Sequence, residues 1–302
     1  MKQKQILVIG SCVCDIILNV THLPTRTEDI SIHHQTMQLG GCAFNVASIL
    51  DAANTNYQLY SPIGSGIYAD FIVRELAKRN IKTMIPRQQE ENGCCYCFVE
   101  EDGERTFISY HGIEYQFQAE WFSKIDKTQL DAIYICGLEL EEDQHQILFH
   151  WLKTTAQTTT IYFALGPRIH NIPKEVTAGL FALHPIVHLN KQEAFQYTNT
   201  NTLLAAAKQF YQETLQDVII TLGSEGCYLF DGHNEYYIHG YHAKVQDTIG
   251  AGDSHIATYI AMRHKQYSKY QSLKMANFVA SDVVTMSGAN LHQEIKDILK
   301  KA

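Results

Sequence analysis

Short, continuous apolar runs recur along the chain, and each ends in small or turn-forming residues. Residues 6–9 run without a polar break into Gly10-Ser11 and read as a buried strand. Residues 57–63, 132–136, 160–163, 186–189 and 218–222 repeat that pattern. Between these runs the spacing becomes helical. Small and apolar residues line 42–54 after the Gly40-Gly41 turn, and Phe71, Leu76 and Ala77 share one face of 70–80. Residues 143–156 and 201–212 also carry a helical pattern. Buried strands alternating with amphipathic helices predict an α/β fold on a mostly parallel sheet. One stretch departs from this alternation. Residues 93–110 place Cys, Tyr, Phe, Val, Thr and Ile on both sides of Asp102-Gly103, a strong hairpin signal. With the extended segment 12–38, it predicts a small β piece beside the main sheet. No repeat, low-complexity tract or linker divides the chain, so 1–302 reads as a single domain.

Composition narrows the classes of function. The chain has 302 residues, a length that one large α/β domain can hold. There are 24 Lys and Arg against 32 Asp and Glu, a net charge of −8. That balance disfavours nucleic acid as a partner, because phosphate binding needs clustered positive charge. No apolar stretch reaches the ~18 residues of a membrane span. The first apolar run is too short for a signal peptide and is followed by Asp15, so a cytoplasmic location is expected. The eight cysteines include one CxxC pair, Cys94 and Cys97, within a strand pattern. Such a pair points to opposite faces, which disfavours a shared metal. Reduced, buried thiols are the expectation.

The most informative stretch is Asp247-Thr248-Ile249-Gly250-Ala251-Gly252-Asp253-Ser254, followed by an apolar helical pattern. Small residues at a helix N-terminus let backbone N–H groups approach an anion. Asp253 could there take a proton from a hydroxyl that attacks a phosphate. A tight turn with Asp253 as a helix cap explains the same residues. GxxxxGK[ST] is absent, which excludes a P-loop, and no GxGxxG supports a dinucleotide site.

The stretch 247–254 resembles the C-terminal signature of the ribokinase-like, or PfkB, family of sugar and nucleoside kinases. Other matches follow in family order. Asp15 lies just after the first strand, and Gly40-Gly41 with Asn45 is similar to a GGxxxN signature. The hairpin with DGER at its turn resembles the family's β lid. Asn190-Lys191-Gln192-Glu193 resembles NxxE, and the segment from Thr221 to Gly226 resembles TxGxxG. Asn277 and Gly288 resemble the residues that enclose adenine. The resemblance spans essentially the whole chain.

It implies a ribokinase-like α/β fold, with a mostly parallel central sheet, flanking helices and a β lid from about 12–38 and 93–112. It also implies an ATP- and Mg²⁺-dependent kinase acting on a hydroxymethyl group of a sugar or sugar derivative. A nucleoside kinase and a non-catalytic sugar or nucleotide sensor are the alternatives. The intact Asp253 and glycine turn speak against the sensor. By resemblance, Asp253 is the base and Gly250, Ala251 and Gly252 form the anion hole. Asp15, Gly40, Gly41, Asn45, Arg168 and Glu139 serve the acceptor. Asn190, Thr221, Gly223, Gly226, Asn277 and Gly288 serve the nucleotide. Glu193 meets Mg²⁺ through water, and Asp247 a monovalent cation, K⁺. An apolar outer lid face, with Tyr96, Phe98 and Phe107, implies a homodimer through the lid.

The chain also departs from the family pattern. A DxNxR segment is replaced by Ala164-Leu165-Gly166-Pro167-Arg168, and ribokinase's Asn and Lys positions hold Val13 and Cys42. His292 stands where some relatives supply a hydroxyl to the cation. These changes predict an acceptor less polar than ribose, or larger and carrying a ring, that keeps a diol for Asp15. Glu139 has a second reading, as part of a charged helix face with Glu141 and Glu142.

Overall fold

The computed structural model describes residues 4–143, 145–156 and 158–302. In chain order its strands are β1 (Gln5–Ile9), β2 (Val13–Asn19), β3 (His34–Gly40), β4 (Tyr57–Tyr60), β5 (Cys94–Val99) and β6 (Arg105–Tyr110). Then follow β7 (Leu130–Cys136), β8 (Thr160–Ala164), β9 (Ile186–Asn190), β10 (Val218–Thr221), β11 (Gly226–Phe230) and β12 (Glu235–His239). Eight of them form one sheet in the order β12-β11-β10-β9-β8-β7-β1-β4. It is parallel from β4 to β10, and β11 and β12 add antiparallel edge strands.

The continuous apolar runs arise because this sheet is buried on both faces. Along β1, Ile6 and Val8 enter one core layer and Leu7 and Ile9 the other. The first layer is closed by helices Cys42–Ala52, Ala251–His264 and Lys269–Val283, through residues such as Val46, Ile256 and Val279. The second is closed by Ile147–Lys153, Lys174–Phe181 and Leu203–Thr214, through Leu148, Leu180 and Phe210. This is the layered α/β arrangement the alternation predicts. Helix limits shift where side-chain caps decide them. The pattern over 143–156 becomes a helix only at Ile147–Lys153, because the Asp143 carboxylate takes the amides of Ile147 (3.0 Å) and Leu148 (2.7 Å). Residue 144 of that pattern lies outside the described residues.

The other four strands form a separate sheet, β3-β2-β5-β6. Asp102-Gly103 does make the β5–β6 turn: the Asp102 carboxylate accepts from Glu104 N at 3.0 Å. β2 pairs parallel with β5, so the two distant segments meet in one sheet. Cys14, Ile16 and Leu18 of β2 bury one face against the core. Met37, Phe107, Ile108 and Tyr110 remain exposed on the outer strands. All eight cysteines are free. Among the described residues no helix is long and apolar enough to cross a membrane.

Candidate active site

Strands β1, β7, β8, β9 and β10 are parallel, so their carboxyl ends open on one edge of the sheet, where α/β folds place ligands. That edge carries Gly10-Ser11, Gly137 to Glu139, Asn190 and the turn after Thr221. The start of helix Ala251–His264 carries Asp253 in its first turn. Gly250 caps it at φ 75°, a left-handed conformation that favours glycine.

Asp253 is held from two sides. Asn45 Nδ2 donates to its Oδ2 at 2.8 Å, and the Tyr134 hydroxyl donates to its Oδ1 at 3.4 Å. Burial pushes the carboxyl above the usual range, although both bonds pull the other way. The Ala251 amide already bonds the Thr248 carbonyl at 3.2 Å. The amides of Gly252 and Asp253 have no partner among the described residues. A Cβ built on Gly252 would meet nothing within 4 Å, so there is open space beside this residue. Of the expected anion-hole triplet, Ala251 therefore contributes shape more than a free donor.

On the acceptor side, Asp15 stands against the end of β3. A Cβ on Gly40 would sit 1.9 Å from Asp15 Oδ2, so a side chain there would displace the Asp15 carboxylate. Burial, with the nearby Asp247, raises Asp15 to about 7. Glu139 is 0% exposed, which overturns its reading as part of a charged face. Its Oε1 accepts from Ser11 N (3.0 Å) and Ser11 Oγ (3.1 Å), and its Oε2 has no partner. Burial raises it to about 7 as well. Glu141 and Glu142 point elsewhere. Glu141 bonds Arg168 at 2.5 Å and Asn171 at 2.9 Å, and Glu142 bonds His111 at 2.8 Å. Arg168 is thus engaged at the surface, and the structure does not bring it to the Asp253 group.

Asp247 also differs from expectation. Its Oδ1 accepts from Arg105 and from Ile249 N at 2.7 Å, and its Oδ2 from Gly288 N at 3.0 Å. Both oxygens face N–H donors, which repel the monovalent cation expected there. The pair joins β6 to the loop that precedes the helix, and Gly288 is fixed by its amide.

On the other side of the helix start is a cavity of about 260 Å³. Thr221, Gly223, Gly226, Gly252, His255 and Asn277 are among its lining residues. The amide of Asn277 is fully engaged within the wall. Nδ2 donates to the carbonyls of Ile238 (2.9 Å) and His239 (3.1 Å), so Oδ1 accepts from His255 Nε2 at 3.1 Å. His255 Nδ1 then accepts from His188 Nε2 at 3.1 Å. Burial holds both imidazoles below their ordinary range, and His255 falls to about 4. Asn190 and Glu193 form a capping box on helix Lys191–Thr198, with bonds of 2.8 and 2.9 Å.

The pfkB family carbohydrate kinase profile matches residues 3–296. The chain belongs to this family. It is 31% identical over 301 residues to the uncharacterized sugar kinase YegV of Escherichia coli K12, covering 98% of this chain and 94% of that protein. Its fold is similar to a ribokinase of Arabidopsis thaliana solved with ribose and ATP, at TM-score 0.82 and 19% identity over 99% of both chains. It is also similar to the nucleoside kinase of Methanocaldococcus jannaschii, at TM-score 0.81 and 21% identity over 99% of both chains. The chain is therefore a pfkB-type kinase with a ribokinase-like fold.

The pfkB signatures did not reveal several groups that shape this site. Tyr134 lies in the run AIYIC, and a tyrosine in a buried strand needs a partner for its hydroxyl. The same signal marks His188 in the run from Ile186. Ser11 and Arg105 gave no signal, because their partners are 128 and 142 residues away.

Proposed function

We propose that this chain transfers the γ-phosphoryl group of ATP to a hydroxymethyl group of a sugar or sugar derivative. The observation that carries this reading is Asp253. It sits in the first turn of helix Ala251–His264, next to the cavity-lining Gly252, and is held by Asn45 and Tyr134. Asp253 takes the proton of the attacking hydroxyl, and Asn45 and Tyr134 fix which oxygen does so. The amides at the helix start receive the charge that spreads over the transferring group.

The cavity fits a nucleotide. Its glycine at 223, like Gly252, would carry a Cβ into open space, so both keep room for phosphates against the backbone. Mg²⁺ fits as an ion carried on those phosphates. Glu193 keeps one carboxylate oxygen outside its capping box and would hold the ion through water, and burial raises this group in the direction a cation would reverse. When bound, the metal neutralises charge on the phosphates. The second sheet acts as a lid that excludes water, tied to the core by Arg105. Its exposed apolar residues support a homodimer through the lid: Phe107 projects from the face turned away from the core, and Met37, Ile108 and Tyr110 line the margins of the other face. Eight free thiols and a need for ATP fit a cytoplasmic setting.

A nucleoside acceptor is the second reading. It is favoured by Gly166, where a Cβ would meet only Cys136 Sγ, at 3.9 Å, leaving room for a base. The test is ATP consumption and product phosphorylation across ribose, fructose and nucleosides. Acceptor-dependent ADP release that Asp253→Asn abolishes supports the reading. Release that persists in that variant overturns it.

A further inference from the structure

Glu139 and Asp253 bring two carboxylates to the acceptor side of the helix start, and Glu139 Oε2 and Asn45 Oδ1 are buried without any partner among the described residues. The direction of the Asn45 amide is fixed, because only its nitrogen can donate to Asp253 Oδ2 at 2.8 Å. Both residues adjoin Asp253: Asn45 through its hydrogen bond, and Glu139 closely enough to feel its charge. A buried acceptor without a donor is costly, and each of these awaits an O–H or N–H from outside the chain.

Positive charge is missing from the same place. Among the described residues, no lysine or arginine is one of the main groups acting on Asp15, Glu139 or Asp253. Arg105 is committed to Asp247 and Arg168 to Glu141. Cys42, the first residue of helix Cys42–Ala52, sets a thiol beside Asp253 and Cys136 where a longer residue could set a charge. Ser11, the donor at hand, is given to Glu139 through both its N–H and its hydroxyl.

We propose, on the kinase reading above, that the acceptor is a polyol without negative charge, and that this wall rejects sugar acids and sugar phosphates. Hydroxyl groups fill the open acceptors and leave nothing unpaired. A carboxylate or phosphate ester would lie beside two carboxylates with no N–H fork to receive it. Selectivity of this kind comes from repulsion and unpaired groups more than from added contacts.

The test is kcat/KM for matched pairs with the wild-type chain: an aldose and its aldonic acid, and a ketose and its phosphate ester with one hydroxymethyl left free. The neutral member should exceed the anionic one by at least ~100-fold. Anionic members equal to or better than neutral ones overturn the proposal. Cys42→Lys, which adds an ammonium group at the wall, should narrow the ratio by about tenfold through the acid alone. Calorimetric binding of the same pairs needs no turnover. A chain that binds the neutral members selectively but phosphorylates none keeps this inference and breaks the kinase reading. A chain that phosphorylates the acids does the reverse.

Discussion

The nucleotide wall and the acceptor wall meet at Asp253, yet they treat their polar groups differently. Around the cavity, the side chains of His188, His255 and Asn277 form a hydrogen-bonded chain that ends on two β12 carbonyls. On the acceptor side, Glu139 Oε2 and Asn45 Oδ1 stay open, and Asp15 and Glu139 are raised to about 7. A finished wall recognises by shape and changes little with pH. An unfinished wall recognises by the bonds it lacks, and its carboxylates titrate in the working range.

Asp253 belongs to both walls, so Asp253→Asn gives the largest expected effect. Steady-state kinetics should show kcat lowered by at least ~10²–10⁴-fold. KM for ATP should stay within about threefold, since the amide keeps the shape. Near-normal turnover would break the comparison at its centre.

Gly252→Val attacks only the nucleotide wall. Its side chain enters open space, so the melting temperature should hold while KM for ATP rises about 10–100-fold. An equal rise in the acceptor KM would show that the walls are not separable.

Acid acts on the other wall. Asp15 and Glu139 accept hydroxyl protons only when ionised, so kcat/KM for the acceptor should rise with pH through about 7. Below that limb it should fall about tenfold per pH unit. Their raised values make the folded state bind protons more tightly than the unfolded chain. They therefore favour folding at low pH and lose that contribution as pH climbs toward 7. Glu139→Gln should flatten the kinetic limb in a pH–rate profile. ATP affinity should stay level from pH 6 upward, because burial drops His255 to about 4.

The smallest effect is expected from His255→Phe. Asn277 Oδ1 then loses its donor, and KM for ATP should rise about two- to fivefold with the acceptor KM unchanged.

Much of this contrast could be read in the chain before folding. Ile6 to Ile9 announced a strand buried on both faces, and Asp102-Gly103 announced the hairpin, because both signals are local. Asp253 was legible because three small residues and a helical pattern adjoin it. The pairing of Arg168 was not, since Glu141 meets it only after β7 and β8 lie side by side. The contacts of Asp247 were not legible either, because Arg105 reaches it from 142 residues away. Helix limits moved where one side chain, such as Asp143, took the first amides.

The Arg105–Asp247 pair bears on timing. Gln38 of β3 also reaches the core, donating to Ser287 at 2.8 Å, so both outer strands of the second sheet are moored near one loop. Asp247 at the same time grips the amides of Ile249 and Gly288. Swinging that sheet outward frees Asp247 and slackens the turn that aims Asp253. On the lid reading, these two contacts would tie the position of the second sheet to the geometry of the helix start, a mechanical link that needs no bound acceptor.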